Sequence, residues 1–431
     1  GLQTYTLSSE WTVEVGDLLL VFISGTGTDT VLSAANAATD KARHESGDVL
    51  DDASHDFGSN LNWHPDAAWR IAAPKVALVG DSWFGGDMGG EDFTAADDSW
   101  GDGKNSIHDN SKGEPWFGDP TCWPTYWMEQ YASGLKTVNI SQNATTLSTT
   151  ASSHAVTALY FQPEYMIVHN SNDASGAMRN AFDDLDTIKT ACDANDPVCQ
   201  VFVVDMPPTL NSSDDRNWIF IGLPDWCALN DAYMIRIWDD MRSGGSMKSE
   251  YDKTGDSSHG NVEAVKRMAV LFNAACLDYA QNGTYGFDFT HTAGSISAST
   301  TITHAVDAVI AFDITLPDAT GDVVVEFRRA DANNHWTLTI SDDGSADLSD
   351  VVSGTSDSKA TAVATTISDN DRIQIVFKDA DVYVYAEGAV IMSHTSDTNL
   401  DGNTEAEIVT IDTGGAVAEL VYFEYEWSDI N

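Results

Sequence analysis

One serine and one histidine in this chain stand where acyl-transfer chemistry would need them. Ser82 closes Gly80-Asp81-Ser82, and that triplet ends the apolar run Val76-Ala-Leu-Val79. An apolar run halted in this way sets a hydroxyl at the tip of a buried strand. A serine hydroxyl is inert at neutral pH until a positioned imidazole takes its proton, and the imidazole needs an acid to hold its tautomer. Asp256-Ser-Ser-His259 supplies both, three residues apart, just before an apolar helical stretch at 261–280. Ser82, His259 and Asp256 are therefore the candidate nucleophile, base and orienter. His108, His154 and His169 compete for the role of base. His169 ends a strand-like run and is expected to line the pocket, but no acid stands at a sequence spacing that favours it.

These residues need a scaffold that gathers strand ends. From 73 to about 283, apolar strand runs at 76–79, 166–168 and 201–204 alternate with helical stretches at 177–191, 231–242 and 261–280. Such alternation predicts a parallel sheet with helices on both faces, and ligands bind beyond the carboxyl ends of its strands. Ser82 and the amide-bearing Asn172 both fall there. Between Trp83 and Cys122 lies an insertion rich in Gly, Asp and Trp, too long for an ordinary strand-to-helix connection. Long loops without secondary structure are commonly functional, and one leaving directly from the nucleophile is expected to form the rim or lid of the site. Trp83, Trp100 and Trp116, with Trp123 and Trp127, offer flat apolar faces for sugar rings as well as for packing. The segment 97–109 is dense in oxygen ligands of the kind calcium takes, but lacks the glutamate that ends an EF-hand loop. No Cys/His spacing suits zinc, and no cofactor is expected.

On these motifs the chain resembles the SGNH (GDSL-type) hydrolases over residues 75–280. The resemblance implies a flavodoxin-like three-layer α/β core and ester hydrolysis. It makes Ser82 the nucleophile and its N–H an oxyanion donor, with Trp83 where the family often has Leu. Asn170-Ser-Asn172-Asp173 matches the family's Gly-x-Asn-Asp with Asn170 in place of Gly, which makes Asn172 a side-chain oxyanion donor. The family's second block contributes a glycine N–H; the corresponding stretch 138–146 has none, and Asn143 is the nearest equivalent. Asparagine tolerates positive φ better than most residues, so donation from the Asn143 N–H survives the change. Asp256 to His259, followed by Gly260-Asn261, resembles the last block and assigns His259 as base. A carbohydrate O-acetyl ester is the favoured substrate, because the resemblance includes deacetylases, the insertion is aromatic and a lectin-like segment follows.

That segment begins near 285, where the pattern changes to short alternating runs at 285–291, 308–316, 323–329, 335–340, 372–377, 382–386 and 420–427. Gly, Asp, Ser and Asn turns separate them, which predicts an all-β jelly-roll sandwich. Residues 326–344 resemble the concanavalin-like (laminin-G-like) jelly rolls of secreted glycan-active enzymes and virion appendages, implying glycan binding. Trp336 within them suits a core as well as a ligand platform. At the other end, 4–7, 11–15 and 18–24 are strand candidates of a small β module that reads as the end of a larger domain. The expected division is 1–72, 73–284 and 285–431.

Composition narrows the function classes. The chain carries 67 acidic against 21 basic residues, a formal charge of −46. Such a surface repels phosphate backbones and anionic lipid, so nucleic-acid partners are excluded. No run of 18 apolar residues is present to span a membrane. Self-repulsion of this size needs screening, and the Debye length falls to roughly 3 Å at 1 M salt; a halophilic or marine setting is expected. The melting temperature should accordingly rise from low to molar salt, and a flat profile in a salt titration would remove that expectation. Cys192 and Cys199 flank a turn-like segment and suit closure of a short loop in an oxidising compartment. Asn139, Asn143, Asn211 and Asn282 begin glycosylation sequons, in keeping with an extracellular, cell-surface or virion location. A second function class fits the same features: a structural or receptor-binding protein of a virion tail, capsid appendage or cell-surface fibre, oligomeric, with an auxiliary or vestigial hydrolase domain.

Overall fold

The computed structural model describes residues 18–22, 67–71, 74–85, 124–132, 135–141, 146–169, 178–205, 221–243, 246–252 and 259–424. The chain forms two compact units: Gly1–Asn170 with Thr187–Phe202 and Glu250–Cys276, and Ser171–Asp186 with Val203–Ser249 and Leu277–Asn431. In the region expected to form an N-terminal β module, β1 (Leu18–Phe22) pairs antiparallel with β2 (Ala67–Ile71). The strand candidates at 4–7 and 11–15 lie outside the described residues.

A five-stranded sheet has the order β4-β3-β5-β6-β7, its strands being β3 (Val76–Val79), β4 (Thr137–Asn139), β5 (Tyr165–Val168), β6 (Gln200–Val204) and β7 (Tyr233–Ile235). Counted along the chain this is 2-1-3-4-5, the flavodoxin-like order, whose switch point lies between the first and third strands. β3 runs parallel to β4 and to β5. Every residue of β3 and β5 is buried, as parallel strands covered on both faces require, so these runs are apolar throughout rather than alternating.

The helix Val262–Asn282 buries Ala264, Val265, Met268, Ala269, Phe272 and Ala275, a single stripe at helical spacing. Its start is set by Asn261, whose Oδ1 accepts the N–H groups of Glu263 and Ala264. That is the ordinary N-cap arrangement. The amide of the same side chain donates to the carbonyls of Glu250 and Asp252. His259 is thus held two residues ahead of a cap fixed on both sides.

Two expectations are corrected here. The stretch 231–242, read as a helix, is instead β7 followed by the short helix Trp238–Met241, after which the two-residue strands β8 (Arg242–Ser243) and β9 (Ser246–Met247) pair antiparallel. Its apolar run is too short to form a helical stripe and lies at the sheet edge. A helical segment at 147–159 was not foreseen: Leu147–Thr149, a π-helical turn at Thr150–Ala155 and Val156–Leu159 follow each other without a break. Burial within it lowers the His154 pKa from the ordinary 6.5 to about 4, and the residue is 2% exposed. The unfolded chain therefore binds a proton near pH 6.5 that the folded chain refuses until about 4. Stability from this group is present above 6.5 and lost as pH falls toward 4. We expect the parent to lose about 3 kcal/mol more than a His154→Leu variant between pH 7 and 4, measured by urea unfolding at each pH; parallel profiles would contradict it.

The twelve C-terminal strands form two six-stranded sheets. One comprises β10 (Phe289–Ile296), β21 (Ala416–Glu424), β12 (Ala308–Thr315), β17 (Arg372–Lys378), β18 (Asp381–Ala386) and β19 (Ala389–His394), in that order. The other comprises β11 (Thr300–Thr303), β20 (Glu405–Ile411), β13 (Asp322–Asp331), β14 (Asn334–Ser341), β15 (Ala346–Val352) and β16 (Thr355–Ala362). Trp336 is fully buried in the core with Phe312, Phe327 and Phe377, so it is packing and not a ligand platform. Five strands escaped the sequence pattern: β11, β15, β16, β19 and β20. All but β19 are rich in Thr, Ser, Asp or Glu, and β16 and β19 are edge strands that bury one residue each.

The first of these sheets departs from the usual sandwich, in which outward residues are polar. Val309, Ala311, Val376, Val421 and Phe423 share its outer face by register, yet all are buried. Within the same unit the helix Leu223–Leu229 lies against β10 and β21, and Asp225 on that helix binds Arg372 and Gln374 of β17. Among the described residues no helix is long and apolar enough to cross a membrane.

Candidate active site

Ser82 follows β3 at the carboxyl edge of the sheet and opens the short helix Ser82–Gly85. The turn before it admits only glycine at 80, because a Cβ there would lie 2.3 Å from the carbonyl oxygen of His169. The turn after it is tied to Asp81: the Trp83 N–H donates to Asp81 Oδ1 at 3.1 Å, and the Phe84 N–H donates to the Asp81 carbonyl at 3.1 Å. Ser82 itself stays partly exposed.

His259 comes from 177 residues further along the chain, and its Nε2 stands 2.8 Å from Ser82 Oγ. At that distance the hydroxyl donates to the imidazole, the contact needed for proton removal as the oxygen attacks. Both residues belong to the first unit. The cap at Asn261 and the antiparallel bridge between Asp252 and Gly260 hold the segment that presents the ring.

Beside this dyad sits a second histidine. His169, at the end of β5, places Nδ1 3.1 Å from Asp81 Oδ1, and both side chains are fully buried. His169 was expected to line the pocket without an acid partner; its acid is Asp81, 88 residues away in sequence and adjacent to Ser82. Asn139 was missed altogether as a site residue. Its Nδ2 donates to the Phe84 carbonyl at 2.7 Å and its Oδ1 accepts the Ser141 N–H at 3.1 Å, linking the end of β4 to the turn at Ser82. The only sequence signal was its sequon, and the buried, engaged amide leaves no room for a glycan.

Trp83 is likewise corrected. Expected on the substrate rim, it is 2% exposed, with its ring centroid 6.1 Å from that of His259 and 6.4 Å from that of His169. Its buried ring packs beside both imidazoles rather than standing open on a rim. Asp256, Asn143, Asn172, Trp100 and Trp116 lie outside the described residues, as does the segment 97–109. Cys192 and Cys199 are buried free thiols; burial and the neighbouring Cys192 push the Cys199 thiol pKa up, the contact with Cys192 being the larger cause.

The fold and the site together define an α/β protein that carries a serine–histidine dyad at the carboxyl edge of a sheet in flavodoxin-like order, followed by a β-sandwich. No family model matches this chain, and no curated protein matches it. Among solved structures it is similar to a putative lipolytic protein of the G-D-S-L family from Desulfitobacterium hafniense, at 10% identity and a TM-score of 0.35, over 46% of this chain and 98% of that one. It is also similar to a galectin from Caenorhabditis elegans, at 13% identity and a TM-score of 0.25, over 31% of this chain and 94% of that one. A carbohydrate-binding module from Bacillus subtilis is similar at 11% identity and a TM-score of 0.22, over 32% of this chain and 92% of that one.

Proposed function

We propose that the protein is a serine esterase of the SGNH type that removes O-acetyl groups from glycans. The observation that carries this is the 2.8 Å contact between His259 Nε2 and Ser82 Oγ at the carboxyl edge of the sheet. Ser82 Oγ attacks the ester carbonyl while His259 takes its proton. The tetrahedral intermediate then expels the sugar alkoxide, which receives that proton from His259. Water, activated by the same imidazole, releases acetate and restores the serine. Asp256 orients His259 in this scheme, and the oxyanion is held by the Ser82 N–H with Asn172 and Asn143. Losing one such donor typically costs about 10²–10³ in rate. No metal or cofactor takes part.

In this proposal 73–284 is the catalytic region, 285–431 a glycan-binding sandwich and 1–72 a β module, acting outside the cell or on a virion in salty surroundings. Chemistry for recognising hydroxyls is present on the second sandwich sheet, where Arg329 engages Glu326, Glu405 and Glu407. The test is hydrolysis in molar salt of p-nitrophenyl acetate, p-nitrophenyl palmitate and an acetylated polysaccharide. Release of acetate from the polysaccharide, with little palmitate cleavage, is expected. Preference for the long chain would overturn the substrate class, and no cleavage of any ester by the folded protein would shift the assignment to a structural or receptor-binding role.

A further inference from the structure

A second histidine–aspartate pair lies one residue from the nucleophile, and the acyl-transfer scheme uses neither member chemically. Asp81 Oδ1 faces His169 Nδ1 on one side and accepts the Trp83 N–H on the other, both at 3.1 Å. With Asp81 as a carboxylate, which has no proton to give, Nδ1 is the donor of the pair. His169 is anchored independently of Asp81: its N–H donates to the Val79 carbonyl at 3.0 Å, and its ring packs 5.3 Å from that of Phe84. Asp81 therefore ties the residue following Ser82 to the end of the neighbouring strand. Because its side chain and its carbonyl take the Trp83 and Phe84 N–H groups, the Ser82 N–H is the amide of this turn left without an acceptor among the described residues.

Such a pair has little value as packing. Burying ionisable groups is costly, and apolar residues of similar volume commonly serve stability as well or better. Here His169 Nε2 is also buried without a hydrogen-bond partner among the described residues, a feature that native structures seldom carry without a reason. What the pair does supply is a fixed geometry at one turn, at the topological switch point where the nucleophile stands.

We propose that Asp81 and His169 form a positioning pair for Ser82, holding the nucleophile turn so that the Ser82 N–H and Oγ keep their relation to the incoming carbonyl and to His259. This rests on the serine-hydrolase assignment. The pair touches no substrate and acts through the turn alone. Its loss should slow the chemical step and leave ligand affinity nearly unchanged.

The experiment is the rate at which a fluorophosphonate labels Ser82 in the full chain. In that reaction the Oγ–phosphorus bond forms, fluoride leaves and His259 takes the proton. His169→Phe keeps a ring and removes the donor. Its limiting labelling rate should fall by about 10²-fold, the scale set by a small misplacement of reacting groups, at an unchanged half-saturating probe concentration and an unchanged melting temperature. His169→Asn returns an amide N–H near the Nδ1 position and should recover most of the rate. If His169→Phe does not fold, Asp81→Asn replaces it: one oxygen still accepts the Trp83 N–H, the contact to Nδ1 becomes donor against donor, and the rate should fall alike. Full-rate labelling of folded His169→Phe or Asp81→Asn would overturn the positioning pair, as would an equal loss in His169→Asn and His169→Phe. Failure of the serine assignment is distinct: the parent would then not be labelled, or would be labelled equally after Ser82→Ala.

Discussion

Ser82→Ala is expected to reduce kcat for ester hydrolysis by about 10⁴- to 10⁶-fold, the range seen when a serine nucleophile is removed from an intact site, with no change in the far-ultraviolet circular dichroism or the urea midpoint. Ser82 is partly exposed at the end of β3, and its hydroxyl is bonded only to His259 among the described residues. Deleting one oxygen there leaves no cavity in the core and no buried partner stranded. His259→Ala should cost about as much as Ser82→Ala, and the double variant little more, because the two act as one unit in proton removal and attack. Losses that multiply in the double variant would show that the serine and histidine act separately, and parental turnover by Ser82→Ala would exclude the serine as nucleophile.

The second large effect concerns stability. Arg372→Met is expected to destabilise the protein by about 3–5 kcal/mol, the penalty for removing one partner of a buried ion pair. Arg372 binds Asp225 through two contacts, Nη2 to Oδ1 at 2.6 Å and Nε to Oδ2 at 2.9 Å. Its Nη1 also reaches Asp313 Oδ1 at 3.0 Å and the Glu419 carbonyl at 2.7 Å. Asp225 is 1% exposed, so its carboxylate has no water to turn to once the guanidinium is gone; the amide of Gln374, 2.8 Å away, is a weaker neutral partner. Nearby, burial already raises the Asp313 pKa, with Arg372 opposing it. Adding Asp225→Asn to Arg372→Met removes the stranded charge while keeping an oxygen for Gln374, and should recover part of the loss. A single-variant cost below about 1 kcal/mol in urea unfolding would place the pair with exposed salt bridges and contradict its buried character.

The same contact bears on the sandwich. With the outer face of its first sheet apolar and the helix Leu223–Leu229 against β10 and β21, the β-strands after residue 285 are not a freely tethered module. Sequence patterning shows which strands alternate and which do not, but not that an outward face is covered. Val309 and Ala311 read as ordinary members of an apolar run, and only the register of β12 against β17 and β21 assigns them to the face opposite the core.

From sequence alone, the pairing of Ser82 with His259 and the parallel strand that leads to Ser82 were legible. An apolar run ending in Gly-Asp-Ser, and an Asp-x-x-His ahead of a capped helix, are local patterns whose physics is local: burial of both strand faces, a glycine forced by close approach, an asparagine cap. What the chain could not disclose were the pairings made across long separations. His169 meets its acid 88 residues away in sequence, and Asn139 looks like a glycosylation site until its amide is seen bonded to the Phe84 carbonyl. Trp83 looks like a sugar platform until the fold closes over it. β16 holds too few apolar residues to announce itself, and β19, though apolar over Ala389–Met392, buries only Met392, because an edge strand borrows its place from its neighbour's hydrogen bonds. Periodicity and spacing record what each segment must bury; only the tertiary structure decides which distant group it meets, because that choice depends on sheet order and register rather than on local residue type.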